Sequence, residues 1–176
     1  MAVTSAVPDR VRLALALLDL GCSERVMEVG CGPGVAAAEV CARLTTGTLV
    51  ATDRSAAAIA RTSRRNAAAI AVGRLSVRQV ALADLDLPPA SVDAAFAIDV
   101  NLFWTRDPEP ELVVLRRVLR PDGRLVLVYG HGPQDPERLA PLVSDRLAAG
   151  FADVIPHRSP LGLAVTARRV SRPPRR

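Results

Sequence analysis

Residues 26–34 constrain the fold of this 176-residue chain more than any other stretch. They read Val-Met-Glu-Val-Gly-Cys-Gly-Pro-Gly. The first four residues suit a short buried strand. The alternating glycines suit a turn that lets a ligand approach the backbone closely, because glycine has no Cβ. The proline suits the first turn of a helix, and the alanine-rich run Val35–Leu44 continues that helix. A strand that enters a helix through such a turn directs free N–H groups towards a ligand.

Two common phosphate-binding turns do not fit this segment. The phosphate-binding loop of nucleotide hydrolases needs a lysine after its last glycine, and the chain contains no lysine. The dinucleotide-binding fingerprint needs glycine at its first, third and sixth positions, and the sixth position here is Val35. The segment therefore argues against a nucleotide hydrolase and weakens the case for a dinucleotide-binding enzyme.

The same segment resembles the first motif of the class I S-adenosylmethionine-dependent methyltransferases. That motif has an acidic residue followed by three alternating glycines, and Glu28, Gly30, Gly32 and Gly34 match it without a gap. The resemblance implies that Glu28 binds the amino acid end of S-adenosylmethionine, directly or through water. It also implies that the backbone of the turn, including Cys31, passes close beneath this cofactor.

A second acidic residue ends the next predicted strand. Thr48–Thr52 is a largely apolar run, which is typical of a central parallel strand. Asp53 follows it, 19 residues after Gly34, and this spacing fits one helix and one strand. A carboxylate at this place can accept hydrogen bonds from both ribose hydroxyls, or it can cap the next helix, and both roles can hold together. The resemblance assigns Asp53 to the ribose and includes Arg54 in the cofactor site.

An acidic residue after the third predicted strand is the candidate for adenine recognition. The strand is predicted over Leu75–Leu82, and Asp84 and Asp86 follow it. In the family that the chain resembles, an acidic residue near this position meets the adenine amino group, which favours Asp84 together with Leu85. Asp86 is the alternative, because the Leu-Pro pair usual in the family could be read directly after it.

The side of the site that faces the methyl acceptor is predicted after the fourth strand, Val92–Ile98. Ligands in open parallel sheets bind beyond the carboxyl ends of the strands. The resemblance therefore places Asp99 and Val100 along the methionine part of the cofactor. The substrate-binding candidates are Asn101, Phe103, Trp104 and Tyr129. Phe103 and Trp104 could equally fill the core.

His131 is the candidate catalytic residue, as a general base. It follows the fifth predicted strand, whose carboxyl end flanks the methyl-transfer side, and an imidazole with an ordinary pKa of about 6.5 suits proton removal near neutral pH. Gly130 and Gly132 leave the side chain free to reach inward, although the same glycines also suit a plain surface loop.

Composition narrows the class of protein. Hydrophobic residues make up 49% of the chain and charged residues 23%, which is typical of a globular domain. No apolar run approaches the length that crosses a membrane. The three cysteines show no metal-ligand spacing, and only two histidines are present, so we expect no metal site. Reduced thiols favour a cytoplasmic protein.

The net charge of +5 raises the question of a nucleic-acid partner. The basic residues are scattered arginines, except at the C-terminus, and five aromatic residues leave little for base stacking. The segment after the fourth strand also lacks the Asn/Asp-Pro-Pro-aromatic signature of methyltransferases that act on adenine or glutamine nitrogens. A nucleic-acid partner is therefore disfavoured.

The order of elements predicts an α/β fold, a doubly wound Rossmann-like methyltransferase sheet of seven mostly parallel strands with the last antiparallel and helices on both faces. Further helices are predicted over 8–20, 55–72, 109–119 and 137–149, the last of which could begin at Pro141. Closing strands are predicted over 151–155 and 163–167. The resemblance extends over residues 8–169, and we expect one methyltransferase domain over 1–170 and a disordered basic tail over 171–176.

The resemblance implies in-line transfer of a methyl group from S-adenosylmethionine to a nucleophile. A small-molecule metabolite is the favoured acceptor, because the motif details resemble the branch that includes the ubiquinone-pathway C-methyltransferases. The alternatives are a protein or RNA acceptor, and a cofactor-binding protein without transferase activity. No lid domain is apparent, so a homodimer or a mobile loop is expected to cover a small acceptor.

Overall fold

Seven strands form one sheet in the computed structural model, which describes residues 6–130 and 135–170. The strands are β1 (Arg25–Val29), β2 (Thr48–Asp53), β3 (Leu75–Gln79), β4 (Val92–Ile98), β5 (Leu119–Tyr129), β6 (Phe151–Ser159) and β7 (Gly162–Arg169). Their order is β3-β2-β1-β4-β5-β7-β6. Strands β1 to β5 run parallel, and β7 runs antiparallel to both β5 and β6. The predicted sheet is confirmed.

Helices cover both faces of the sheet. They are α1 (Asp9–Leu18), α2 (Val35–Arg43), α3 (Ala56–Arg65), α4 (Ala67–Ala71), α5 (Leu102–Thr105), α6 (Glu109–Val118) and α7 (Pro136–Ala148). Successive strand residues point to opposite faces, so the sheet divides the core in two. Met27 and Val29 of β1 belong to the cluster that contains residues of α6 and α7, whereas Val26 belongs to the cluster that contains residues of α1 and α2.

The helix predicted over 55–72 is broken. It ends at Arg65, and α4 starts after Asn66, whose backbone leaves the helical conformation (φ −112°, ψ 24°). The buried amide of Asn66 donates to the carbonyl oxygens of Gly34 and Thr62, each at 3.0 Å. The break therefore serves a contact with a distant turn, which the helical propensity of this segment does not reveal.

The third strand is shorter than predicted. It ends at Gln79, and a short 3-10 turn follows over Leu82–Asp84. The N–H of Val80 makes the last backbone bond to the second strand, to the carbonyl of Asp53 at 3.0 Å. The chain then leaves the sheet and buries Leu82 in the core.

The last helix starts at Pro136, so the predicted alternative start at Pro141 is wrong. Asp135 caps the helix by accepting a hydrogen bond from the N–H of Glu137 at 3.0 Å. Pro141 lies inside the helix and its side chain is exposed. The predicted general base His131 and the predicted tail over 171–176 lie outside the described residues.

The strand order reverses direction between β1 and β4. In an open parallel sheet, ligands bind in the crevice at such a switch point, beyond the carboxyl ends of the strands. The glycine turn follows β1, and residues 99–101 follow β4, so both predicted parts of the site meet at this crevice.

Candidate functional site

Backbone hydrogen bonds hold the glycine turn against the second strand. The N–H groups of Gly30 and Cys31 both donate to the carbonyl of Thr52, at 2.8 and 3.0 Å. The N–H of Gly34 closes the turn by donating to the carbonyl of Cys31 at 2.9 Å. The three glycines, including Gly32, have φ values of 72°, 51° and 75°, a region that side chains rarely adopt.

The three glycines differ in what a Cβ at each position would contact. A Cβ on Gly30 would lie 2.6 Å from Cγ2 of Val100, and a Cβ on Gly34 would lie 2.8 Å from the Cα of Thr62. A Cβ on Gly32 would meet nothing within 4 Å. The sequence interpretation, in which all three glycines make room for a ligand, is therefore corrected. Two of them make room for the protein itself, and only Gly32 faces open space.

Helix α3 braces the turn from below, which the sequence analysis missed. The hydroxyl of Thr62 donates to the carbonyl of Gly32 at 3.1 Å, and Nε of Arg65 donates to the carbonyl of Pro33 at 2.9 Å. The thiol of Cys31 is buried 3.3 Å from the Thr62 hydroxyl, and burial raises its pKa to about 11. Cys31 therefore contributes to the site through its backbone.

Glu28 presents a buried carboxyl group without a partner. Its side chain is 3% exposed, and its Oε2 atom has no hydrogen-bond partner. Burial, and then the negative charge of Asp53, raise the pKa of Glu28 from 4.5 to about 8. A buried polar atom without a partner is costly, so this carboxyl fits a group that arrives from outside the chain.

Hydrogen bonds from two backbone N–H groups hold the carboxylate of Asp53, which is not the N-cap of the next helix. Its Oδ2 accepts from the N–H of Gly32 at 3.1 Å, and its Oδ1 accepts from the N–H of Ser55 at 2.9 Å. Ser55 is the N-cap of the next helix, and its Oγ accepts from the N–H of Ala58 at 3.3 Å. The capping role considered for Asp53 is thus filled by another residue.

A cleft of about 490 Å³ opens beside the turn, at the carboxyl ends of the central strands. Its volume is within the range of small-molecule sites, about 300–1,000 Å³. Four of its lining residues were predicted from the sequence, namely Arg54, Asp99, Val100 and Asn101. The lining residues are Val29, Thr52, Arg54, Val80, Ala81, Leu82, Asp99, Val100, Asn101, Leu102, Thr105, Arg106 and Glu111.

The residues predicted to meet adenine lie outside this cleft. Asp84 is exposed at the end of the 3-10 turn, and Leu85 is a core residue whose carbonyl accepts from Nη2 of Arg117 at 2.8 Å. The side chain of Asp86 is fully exposed, 4.0 Å from Arg117. The cleft wall at this place consists of residues 80–82 instead. The assignment of Asp84 with Leu85, or of Asp86, to the adenine amino group stays a prediction.

Asp99 links three elements at the edge of the cleft. Its Oδ1 accepts from the N–H of Gly130 at 2.8 Å, and its Oδ2 forms an ion pair with Nε of Arg10 at 2.9 Å. Its own N–H donates to the carbonyl of Val128 at 2.8 Å, and its φ is 55°. The contribution of Arg10, from the first helix, was not foreseen.

The aromatic candidates belong mainly to the core. Phe103 is 2% exposed and Tyr129 is 6% exposed, and neither lines the cleft. Their binding of substrate stays a prediction that the cleft geometry does not support. Trp104 packs half-buried against the same cluster. Burial, and then the charge of Asp99, raise the pKa of Tyr129, so its phenol keeps its proton. Of the substrate candidates, Asn101 alone lines the cleft.

An ion pair that the sequence analysis missed forms the end of the cleft. Both Nη atoms of Arg106 donate to the carboxylate of Glu111, Nη1 at 3.2 Å. Glu111 is 3% exposed although it is charged. Its spacing from Leu115 and Val118 places it on the buried face of the sixth helix. A charged residue within an apolar helical stripe is the signal that could have revealed it.

Two further observations bear on the class of site. Within residues 6–130 and 135–170, no group of three or more His, Cys, Asp or Glu side chains is arranged to hold a metal ion. None of the helices in that part of the chain is long and apolar enough to span a membrane.

Three solved structures share this fold and are distant from this chain in sequence. A SAM-dependent O-methyltransferase from Thermotoga maritima superposes with a TM-score of 0.75 at 16% identity, over 94% of this chain and 66% of that one. The [4+2]-cyclase SpnF superposes with a TM-score of 0.73 at 20% identity, over 92% of this chain and 81% of that one. Geranyl diphosphate C-methyltransferase from Streptomyces coelicolor superposes with a TM-score of 0.72 at 14% identity, over 92% of this chain and 78% of that one. No curated protein sequence matches this chain.

A family model described as a methyltransferase domain matches residues 26–123, more than half of the chain. The matched segment starts at the first strand and includes the glycine turn, Asp53 and the end of the fourth strand. The open space at Gly32 and the unpartnered carboxyl of Glu28 fit a cofactor with a polar amino acid end. The chain belongs to the class I S-adenosylmethionine-dependent methyltransferases, enzymes that use S-adenosylmethionine as their cofactor.

Proposed function

We propose that the protein transfers the methyl group of S-adenosylmethionine to a nucleophilic atom of a small-molecule metabolite. The observation that carries the cofactor assignment within the chain is the buried, unpartnered carboxyl of Glu28 beside the glycine turn. The small acceptor is supported by a neighbour of the same fold, which was crystallised with geranyl diphosphate. It is also supported by the cleft, whose volume suits small ligands.

The glycine turn and the two carboxylates beside it hold the cofactor in this proposal. Glu28 receives the amino group of the methionine end, and the backbone at Gly32 passes beneath it. Asp53 accepts from the ribose hydroxyls with the lone pairs that its bonds to the N–H groups of Gly32 and Ser55 leave free. Arg54, Asp99 and Val100 complete this part of the site from the ends of β2 and β4.

The protein contributes position more than chemistry. When bound, S-adenosylmethionine supplies an electrophilic methyl group on a sulfonium. Orienting two reactants can lower a barrier by about 7–11 kcal/mol, whereas a general base adds about 10²–10⁴-fold in rate. We assign that base to His131, next to Gly130, which Asp99 ties to the edge of the cleft. Asn101 is the acceptor contact that lines the cleft, and Trp104 stands beside it in α5.

Two other functions are kept as outcomes of the test. A protein or RNA acceptor would cover the cleft by itself. A cofactor-binding protein without transferase activity is the second, because a cyclase shares this fold. We propose a homodimer or a closing segment for the small-acceptor case, and the molar mass in light scattering, with and without S-adenosylhomocysteine, tests the dimer.

The decisive experiment uses the purified protein with methyl-labelled S-adenosylmethionine and fractionated cell extract. Label in the small-molecule fraction supports the proposal, and label in protein or RNA replaces it by the macromolecular alternative. Cofactor binding in calorimetry with no transfer to any fraction favours the non-transferase alternative. In the same assay, His131→Ala is expected to lower kcat by about 100-fold with cofactor affinity intact.

A further inference from the structure

We infer that residues 54–83 form a docking surface for an acidic protein, at the end of the sheet next to the cleft. The inference goes beyond the proposed function and holds for any methyl acceptor. It starts from an uneven distribution of charge. Of the 23 arginines and 18 acidic residues in the chain, residues 54–83 contain six arginines and no acidic residue. The remainder has one acidic residue more than arginines, so the net charge of +5 comes entirely from this stretch.

The tertiary structure gathers these six arginines at one end of the molecule. β3 is the outermost strand of the sheet, α3 packs on β2 and β3, and α4 packs on α3 and β3. Arg74 is half-buried and donates to the carbonyl of Thr45 at 3.3 Å. The other five, which we call the basic corner, are exposed, namely Arg54, Arg61, Arg64, Arg65 and Arg78.

The charges of the basic corner are not neutralised within the protein. Across residues 6–130 and 135–170, ten arginines form ion pairs with Asp or Glu, and none of the ten lies within residues 54–83. Arg65 and Arg78 donate to backbone carbonyls, those of Pro33 and Asp86. Three members have no partner among the described residues, namely Arg54, Arg61 and Arg64. Neighbouring cations without counter-charges repel one another, so an anionic partner would stabilise this surface.

The side chains around these arginines favour a protein over a nucleic acid. Residues 54–83 include no aromatic side chain on which a base could stack. The residues exposed between the arginines of α3 and α4 are mostly alanines, which leave the helix surface flat for close approach by a protein. Arg61 and Arg65 are one helical turn apart, about 5–6 Å between Cβ atoms, which matches carboxylates one turn apart on a partner helix. Each guanidinium can then bind a carboxylate through two parallel hydrogen bonds.

The basic corner borders the opening of the cleft. Arg54 lines the cleft itself, and Arg65 donates to the carbonyl of Pro33 in the glycine turn. A partner on the basic corner therefore lies beside the opening and leaves the cleft to the cofactor and the acceptor.

The test measures binding of fluorescently labelled polyglutamate, as the acidic probe, by anisotropy at low and at high salt. The wild-type protein is expected to bind the probe at low salt and to release it at high salt, because exposed charges are screened. Arg61→Glu should weaken binding by roughly 10-fold, since one ion pair is lost and a like charge is added. Arg138→Glu is the matched control, because Arg138 is an exposed arginine of α7 without a partner among the described residues. It changes the net charge equally and should weaken binding by less than about 2-fold.

Equal weakening by the two variants overturns the inference, because binding would then follow net charge alone. A wild-type protein that does not bind polyglutamate at low salt overturns it as well. Polyuridylate RNA of the same length is the competing probe, and tighter binding of this RNA, lost in Arg61→Glu, replaces the acidic protein by a nucleic acid. Thermal melts and an unchanged affinity for S-adenosylhomocysteine verify that Arg61→Glu is folded. Should it not fold, Arg64→Glu decides by the same criteria.

Discussion

The two walls of the cleft are built in different ways. The glycine-turn wall (residues 28–34 and 52–55) is held mainly by backbone hydrogen bonds, such as those from Gly30 and Cys31 to Thr52. The helical wall (residues 99–111) is held by side chains that form ion pairs, Arg10 with Asp99 and Arg106 with Glu111. The first wall therefore depends on the path of the backbone, and the second depends on individual side chains.

The difference has an energetic consequence. A buried backbone or carboxyl group that loses its partner costs about 1–3 kcal/mol or more. An ion pair between half-exposed side chains contributes about 0–1 kcal/mol. We therefore expect substitutions in the glycine-turn wall to cost more than substitutions at the ion pair of Arg10. The four predictions below test this contrast, from the largest effect to the smallest.

Gly34→Ala should have the largest effect. The new Cβ would lie 2.8 Å from the Cα of Thr62, at a φ of 75°, so the backbone of α3 must move. We expect the free energy of unfolding to fall by about 3 kcal/mol or more. Gly32→Ala is the control, because its Cβ meets nothing within 4 Å. It should cost only about 1–2 kcal/mol in urea unfolding, and similar losses for both variants would contradict the steric account.

Asp53→Ala should weaken cofactor binding more than it weakens the fold. The proposed bonds to the ribose involve a charged acceptor, at about 1.5–3 kcal/mol each. Affinity for S-adenosylhomocysteine in calorimetry is expected to fall by roughly 100-fold. Ser55→Ala is the matched control, since it removes the helix cap that accepts from Ala58. The control should lose about 1 kcal/mol of stability at unchanged affinity, and an Asp53→Ala protein with wild-type affinity would exclude the ribose role.

Cofactor binding should release a proton from Glu28. Its pKa is raised to about 8 in the free protein, and the cationic amino group of the cofactor favours the ionised form. Affinity is therefore expected to rise by about 5-fold from pH 7 to 8 and to level off above about pH 9. Calorimetry in buffers of different ionisation enthalpy measures how many protons are released on binding.

Glu28→Gln provides the control for that measurement. It should abolish both the proton release and the pH dependence in this window. Because the pKa is raised in the folded state, the wild-type protein should also lose stability as pH rises from about 4.5 to 8, and Glu28→Gln should not. Identical unfolding curves for both proteins at pH 9 would argue against a buried carboxyl.

Arg10→Ala should have the smallest effect. Arg10 and Asp99 have side chains that are 45% and 48% exposed, so the pair is screened by water and salt. The expected loss is at most about 1 kcal/mol in the free energy of unfolding, and it should shrink at high salt. Arg12→Ala, on the same helix, is the control, since its partner is the neighbouring exposed Asp9. A loss above about 2 kcal/mol would show that the helical wall is as rigid as the turn.

The features predicted correctly are those with local causes. The apolar runs of β1, β2 and β4, the glycine turn and the seven-stranded, mostly parallel sheet follow from residues close together in the chain. The spacing of apolar residues and turns determines which segments are buried and how they are connected. Because crossover connections between parallel strands are right-handed, few arrangements of the strands then remain. The meeting of residues 30–34 with residues 99–101 follows from that topology.

The features that the sequence did not reveal depend on residues far apart. Asn66 breaks a helix because it reaches Gly34, and Phe103 is buried where α5 packs against α7. Glu111 enters the cleft because α6 covers the turn after the third strand. The sequence by itself determined where a cofactor turn stands and what kind it is. Tertiary packing decided which side chains complete the cleft, because burial and contact across the sheet have no signature in local spacing.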